Sequence, residues 1–430
     1  MKHKIPIIIT IGLIIMLSTN ILANNDQFLG YWIGAIRVMD TELEIHLELQ
    51  KESGEFQGLI TIPAQLQRDL QVEILQIDYP EISFRLDVGT IANFQGSIKD
   101  GYLSGTFSQA GVNGLFHLVR GDKSAVRYDT LELEPLEGEM EISVETSYGR
   151  LFGSILLPEE GDKFPVVLII PGSGPTDRDG NNPMIPGKGY VYRQIAESLR
   201  DNGIASLRYD KRGIGRSREA LIKEEDLRID YKIQDVVQWV KLLKNDERFS
   251  KIVLLGHSQG SLLGIIAAQR EEVSGLISAA GAGRNMADVL IEQFAVQPEP
   301  FKSEAEDIIA SLRSGQTVPR VSEELHSVFR SQIQPYLISM MRYNPSVEIA
   351  KLDIPVLIIQ GTTDIQISLE DARALSNSLI HAELKIIDDM NHMFRISSLN
   401  RQENISTYGN PELPLADGFM NSIIDFISKL

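Results

Sequence analysis

Three side chains, widely separated along the chain, have the types and the order that nucleophilic catalysis needs: Ser258, then Asp364, then His392. Ser258 is the middle of Gly256-His257-Ser258-Gln259-Gly260, which directly follows an apolar run at 251–255 and directly precedes an apolar helical pattern over 259–270. The match is weak as a string. Its place between a strand and a helix makes it informative: a serine at such a turn is held in a strained backbone with its hydroxyl exposed, and flanking glycines let neighbouring chain approach without a Cβ. Cysteine is absent, so covalent chemistry falls to Ser, Thr, Lys or carboxylates, and thiolate metal sites and disulfides are excluded.

A serine hydroxyl becomes a nucleophile only with a base and an oriented acid, each expected on the loop after a later strand. Asp364 closes Gly361-Thr362-Thr363-Asp364 after the strand pattern at 354–360, whereas its rival Asp371 falls inside the next helix pattern. Of seven histidines, His392 follows the strand ending near 387, in Asp388-Asp389-Met390-Asn391-His392-Met393. His381 precedes that strand, at the wrong end of a sheet, and His257 is expected to pack beside or support the turn that holds Ser258. The charge that develops on a carbonyl oxygen needs two backbone N–H donors. One is expected from Gln259, and the other from the loop Pro171-Gly172-Ser173-Gly174 after the apolar strand at 164–170; Ser173 is the first choice and Gly174 the second.

Two further segments are read as structural. Asp177, Asp179 and Asn181 look like a fragment of a calcium loop, but the later ligands and terminal Glu are missing, so they are expected to stabilise a turn. Arg212-Gly213-Ile214-Gly215 lacks the Gly-Lys-Ser/Thr ending of a phosphate loop and reads as a loop near the site with Asp210 and Arg212 paired. No metal and no cofactor is expected.

These residues must be positioned by a scaffold. From about 139 onward, strand patterns (164–170, 204–210, 251–255, 273–279, 354–360, 382–387) alternate with helical ones (190–202, 230–244, 259–270, 369–379, 418–427), which predicts a parallel α/β sheet. Between about 283 and 350 the strand rhythm stops, in a helical insertion carrying Phe294, Phe301, Phe329, Tyr336, Met340, Met341 and Tyr343. It reads as a cap over the site or, residue by residue, as its own packing core. Residues 24–121 instead show short period-2 runs such as Leu43-Glu44-Ile45-His46-Leu47-Glu48-Leu49, broken by Ser53-Gly54 and Asp100-Gly101, and predict a small all-β barrel or sandwich. Gly30-Tyr31-Trp32 resembles the Gly-x-Trp opening of lipocalin-like barrels. Residues 122–138 are polar and acidic and read as a linker.

Residues 1–23 have the layout of a signal peptide: Lys2 and Lys4, an apolar run at 5–17, then small and polar residues ending in Ala23. The run falls short of the ~20 residues a membrane span needs, so cleavage and export to a periplasmic or extracellular compartment are expected, with no stable membrane anchor. With 43% hydrophobic and 23% charged residues the 430-residue chain has the composition of a soluble globular protein. Its formal net charge of −18 excludes nucleic acid as a partner, since a phosphate backbone would be repelled. An oligomeric state does not follow from the sequence.

From about 139 to 430 the chain resembles the α/β-hydrolase family. Pro171-Gly172-Ser173-Gly174-Pro175-Thr176-Asp177-Arg178-Asp179-Gly180-Asn181, followed by Tyr209-Asp210-Lys211-Arg212-Gly213-Ile214-Gly215-Arg216-Ser217, is similar to a group of bacterial two-domain exported serine esterases. The resemblance implies hydrolysis of short-chain carboxylic esters, a small-molecule ester as substrate, Ser258 as nucleophile, His392 as base and then acid, and Asp364 orienting the imidazole. The family's frequent His-Gly before the oxyanion loop is Pro171-Gly172 here. Peptidase, thioesterase and acyltransferase share this chemistry; ~100 residues are too few for the β-propeller that gates access in some peptidases, so esterase leads. The alternative of another class is a noncatalytic exported binding protein, which loss of Ser, Asp or His would mark; none is lost.

Overall fold

A computed structural model of the chain describes residues 25–38, 41–62, 67–87, 91–109, 112–122, 135–182, 185, 187–295 and 297–430. The expected signal peptide at 1–23 and most of the expected linker at 122–138 lie outside the described residues. The chain divides into two compact units, Met1–Glu132 and Leu133–Leu430. No helix among the described residues is long and apolar enough to cross a membrane.

The first unit is a closed barrel of eight strands: β1 (Gly30–Val38), β2 (Thr41–Glu52), β3 (Glu55–Ile62), β4 (Gln67–Asp78), β5 (Glu81–Asp87), β6 (Ile91–Lys99), β7 (Tyr102–Gln109) and β8 (Val112–Arg120). Each strand pairs antiparallel with its sequence neighbours, and β8 returns to pair with β1. Of the barrel and sandwich alternatives the chain takes the barrel, which leaves no unpaired edge. Alternation puts Ile82, Phe84 and Leu86 of β5 inside, and Phe84 stacks on Phe94 at 4.7 Å. Trp32 is buried at the start of β1, donates its indole N–H to the Phe28 carbonyl (2.9 Å), and lies under the Arg120 guanidinium at 4.4 Å, a cation–π contact that ties the two closing strands.

The second unit is an eight-stranded sheet. Its strands are β9 (Glu139–Thr146), β10 (Gly149–Leu156), β11 (Phe164–Ile170), β12 (Ala205–Tyr209), β13 (Phe249–His257), β14 (Gly275–Ala279), β15 (Val356–Gly361) and β16 (Glu383–Ile387), in the order β16-β15-β14-β13-β11-β12-β10-β9. From β12 to β16 all neighbours are parallel; β9 and β10 form an antiparallel edge. The helices are α1 (Val191–Asp201), α2 (Ile229–Lys244), α3 (Gln259–Arg270), α4 (Met286–Phe294), α5 (Phe301–Arg313), α6 (His326–Phe329), α7 (Gln334–Met341), α8 (Pro345–Ile349), α9 (Leu369–Ser378), α10 (Arg401–Ser406) and α11 (Phe419–Lys429).

The near-continuous apolar run of β11 has a simple cause: both faces of the sheet are covered. Val166, Leu168 and Ile170 point into a core shared with Trp239 of α2, Ile266 of α3 and Leu375 of α9. Val167 and Ile169 point into another, shared with Ile195 and Leu199 of α1 and Phe419 and Ile423 of α11. The chain leaves β11 for β12 on one side and then crosses to β13 on the other, so strand order reverses between β11 and β13. At such a point the loops leaving the strand ends diverge and open a crevice. The loops at 171–174 and at Ser258 both leave the sheet there.

Each unit carries one buried tryptophan, Trp32 and Trp239. In a Trp239→Phe background, where Trp32 fluorescence reports the barrel, Phe94→Ala is expected to lower barrel stability in denaturant titration by about 3–5 kcal/mol, the usual cost of deleting a buried aromatic ring.

Candidate active site

The β11–β13 register sets Ile170 opposite Gly256, so the chain after Ile170 runs beside the turn that holds Ser258. Ser258 sits at φ 53°, ψ −119°, a conformation costing a non-glycine residue about 1–3 kcal/mol. Its own amide is tied to the Ala279 carbonyl (2.9 Å) and its carbonyl accepts from the Ser261 amide (3.0 Å). Both flanking glycines are required by space. A Cβ on Gly256 would lie 2.4 Å from the Gly260 carbonyl oxygen, and one on Gly260 would lie 2.2 Å from that of Ile170. Ser258 remains half-buried while His257 and Gly260 are buried.

Asp364 and His392 meet. Asp364 Oδ2 accepts from His392 Nδ1 at 2.8 Å and from Gln360 Nε2 at 3.0 Å, and Oδ1 accepts from the Gln366 and Ile367 amides at 2.8 and 2.9 Å. The Asp364 carboxylate is wholly buried. Burial alone would raise its pKa, but the His392 charge and hydrogen bond and the two amides outweigh it and hold the carboxyl below its ordinary range. With Nδ1 donating to a carboxylate, Nε2 of the neutral ring is the free base. The His392 loop is shaped by Asn391, whose Oδ1 accepts from the Met393 and Arg395 amides, both at 3.0 Å. The rivals are elsewhere: Asp371 closes a capping box with Ser368 on α9 and pairs with Arg284, and His381 bonds the Ile354 carbonyl, before β15 begins.

His257 does more than pack. Its buried ring lies between the other parts: the Tyr192 hydroxyl accepts from the Gly172 amide (3.2 Å) and donates to His257 Nδ1 (2.7 Å), and His257 Nε2 donates to the His392 carbonyl (2.9 Å). A carbonyl only accepts, so the proton is on Nε2. Burial, with the His392 ring adding, pushes the His257 imidazole down to about 3, so it stays neutral. The His257 and His392 ring centroids are 4.9 Å apart, which brings His392 beside the residue preceding Ser258. Tyr192, on α1, carries no sequence signal of its own role; only packing shows it.

The loop at 171–174 reaches the turn directly. A Cβ on Gly172 would sit 3.2 Å from Ser258 Cβ. Ser173 is exposed there, and Gln259 opens α3 immediately after Ser258. Lys211 Nζ donates to the Gly172 and Gly174 carbonyls, both at 2.6 Å. The sequence signal for it was its place at the end of β12, inside Tyr209-Asp210-Lys211-Arg212-Gly213.

Behind this loop lies a buried ion network, and here one expectation is corrected. Asp210 does not pair with Arg212. It takes a fork from Arg178 (Nη2 to Oδ2 2.7 Å, Nε to Oδ2 3.1 Å), and Arg212 reaches across to Asp235 of α2 (2.5 and 2.7 Å). The reason is that Arg178 and Asp235, though distant in sequence, are the buried partners that a planar guanidinium and a carboxylate can meet bidentately. Asp177 spends its carboxylate on the Asp179 and Asn181 amides (2.9 Å each) and on Asn181 Nδ2 (3.0 Å), and Asp179 pairs with Arg208. Among the described residues no group of three or more His, Asp or Glu is placed to hold a metal ion.

The insertion after β14 forms α4 to α8. Phe329 and Met341 belong to its own core, with Phe294 and Phe301 packed on it, whereas Tyr336 and Met340 join the main core. Tyr336 and Met340, four apart on α7, share a face and reach the site: Lys232 Nζ bonds Tyr336 Oη (2.9 Å) and Gln259 Oε1 (3.1 Å), and Gln259 Nε2 lies 3.3 Å from Met340 Sδ.

The neutral His257 predicts an acid sensitivity. As pH falls below about 6.5 the unfolded chain protonates this imidazole while the folded chain resists until about 3, so stability is lost through that window by up to about 1.4 kcal/mol per pH unit. Asp177 and Asp235, both raised by burial to about 6, act with the opposite sign, because the folded state binds their protons first. The difference isolates the histidine: denaturant titrations between pH 6.5 and 4 are expected to show a steeper acid loss for the native chain than for His257→Gln.

A family model described as serine aminopeptidase, S33 matches residues 188–332. Esterase EstD of Thermotoga maritima is 25% identical over 380 residues, 84% of this chain and 83% of the relative. Among solved structures, Est1E from Butyrivibrio proteoclasticus with bound ferulic acid is 18% identical, with a TM-score of 0.46 over 67% of this chain and 96% of that one. The enol-lactonase from Burkholderia xenovorans LB400 is 19% identical, with a TM-score of 0.42 over 67% of this chain and 100% of that one. The strand order and the serine turn after β13 give the second unit an α/β-hydrolase fold, and the chain is similar to EstD over most of its length.

Proposed function

We propose that this protein is a serine esterase that cleaves short-chain carboxylic esters through an acyl-enzyme. The observation that carries the reading is the hydrogen bond from His392 Nδ1 to the buried Asp364 carboxylate, beside the strained turn of Ser258. Nε2 of His392 takes the Ser258 proton as Oγ attacks the ester carbonyl, and the N–H groups of Ser173 and Gln259 hold the oxyanion of the tetrahedral intermediate. Collapse breaks the C–O bond to the alcohol, whose oxygen receives the proton from His392. Water, deprotonated by the same nitrogen, then attacks the acyl-enzyme, and the acid leaves as Ser258 regains its proton. Asp364 stabilises the imidazolium formed in each half-reaction and keeps the ring's proton on Nδ1. The relationship to an esterase over most of both chains supports ester over amide as substrate.

The test uses purified residues 24–430 with p-nitrophenyl esters from acetate to palmitate, amino-acid p-nitroanilides and a fluorophosphonate label. Turnover is expected to be greatest on the short acyl esters. Ser258→Ala is expected to abolish labelling, and Asp364→Asn to lower kcat by about 10³–10⁴-fold, as loss of the orienting acid does elsewhere. An intact protein that neither turns over an ester nor takes the label sinks this reading, and preference for the anilides replaces it with a peptidase. The layout of residues 1–23 further supports export; mass spectrometry of the protein from its native cells is expected to find an N-terminus at Asn24, and an intact Met1 would refute cleavage.

A further inference from the structure

Lys211 stands at the end of β12 with its side chain buried, and it donates two hydrogen bonds of 2.6 Å to main-chain carbonyls two residues apart in one loop, those of Gly172 and Gly174. In a trans peptide the C=O and the following N–H point in opposite directions. The Gly172 carbonyl belongs to the same plane as the Ser173 N–H. Turning that oxygen toward Lys211 therefore turns the Ser173 N–H away from it, in a loop whose Gly172 already packs against Ser258. The Gly174 carbonyl belongs to the peptide of Pro175, which has no N–H, so the second bond anchors the loop's exit without orienting any further donor. The intervening plane is held loosely, its Ser173 carbonyl accepting from Thr176 Oγ1 at 3.4 Å. Resting on the esterase reading above, we propose that Lys211 is the positioning residue of the oxyanion loop, orienting and polarising the Gly172–Ser173 peptide so that Ser173, not Gly174, supplies the second donor.

Burial, and then the charge of Lys232, push the Lys211 ammonium well below the ordinary lysine range. Both protonation states keep the two N–H groups that the carbonyls need, so the loop geometry survives titration. What a substitution removes is the donor pair. Lys211→Met keeps the stem and loses the donors. On p-nitrophenyl butyrate it is expected to lower kcat about 10²–10³-fold, the cost of one misplaced oxyanion donor, with KM within about threefold. Inhibition by a trifluoromethyl ketone, whose adduct with Ser258 carries an oxyanion, is expected to weaken by the same factor as kcat/KM.

Because the chain has no cysteine, Lys211→Cys introduces a unique thiol. Alkylated in denaturant and refolded, it can carry either an aminoethyl or a propyl group, two side chains of nearly equal length of which one alone ends in an ammonium. Recovery of turnover and ketone affinity by the aminoethyl form alone is the expected result, and it holds even if Lys211→Met fails to fold. Equal activity of the two alkylated forms, or a Lys211→Met variant that turns over like the native chain, overturns the role of Lys211 while leaving the esterase reading intact. Absence of ester turnover and of Ser258 labelling in the native chain overturns the esterase reading itself.

Discussion

The neutral, fully buried ring of His257 is the hinge on which the site depends. Through Tyr192 it holds the Gly172 amide, and through Nε2 it holds the backbone carbonyl of His392. One imidazole thus links the loop after β11, the turn after β13 and the loop after β16. Charging it would bury a cation and turn its Nδ1 acceptor into a second donor facing a hydroxyl. That cost is why burial depresses its proton affinity so far, and why a weakly basic ring can serve as a permanent structural element at neutral pH.

Around that hinge the site separates rigid from strained parts. Ser258 occupies an unfavourable backbone conformation, held by its amide bond to Ala279 and by the close passage of Gly256 and Gly260 against neighbouring chain. The turn is set between parallel core strands that are buried on both faces. The two residues proposed to act with Ser258 are held differently. Asp364 is fixed by four hydrogen bonds and His392 by the Asn391 turn, so neither relies on the mobility of a surface side chain.

The loop at 171–182 is where charge is concentrated. Asp177, Arg178, Asp179, Arg208 and Asp210 form a paired set behind it, with Lys211 beneath its glycines. Such buried pairs add little net stability against an apolar replacement, because desolvation consumes most of their attraction. What they supply here is definition: Asp210 is held by Arg178, Arg208 joins Asp179 to Glu139, and Asp177 ties the backbone of 179 and 181, so the loop that faces Ser258 is anchored at several points.

Much of this was legible in the residues themselves. The period-2 runs predict the β unit, the alternation of apolar runs predicts the parallel sheet, and the order of Ser258, Asp364 and His392 after successive strands singles them out, because those signals are local patterns tied to strand and helix periods. The same holds for Asp371, whose place inside a helix pattern sets it apart from the loop after β15; that it closes a capping box on α9 is seen only in the structure. What the sequence left open was decided by partners that are near only in space. Closure of the barrel rests on β8 returning to β1, and Arg120 lying over Trp32, from opposite ends of the unit. The pairing of Arg178 with Asp210 and Arg212 with Asp235 replaced a pairing that nearness in sequence implied. Tyr192 and Lys211 acquire their places from the crossover that sets β12 and α1 beside β11. A side chain's hydrogen-bond partner is chosen by geometry and burial after the backbone has packed, and neither quantity is encoded by spacing along the chain.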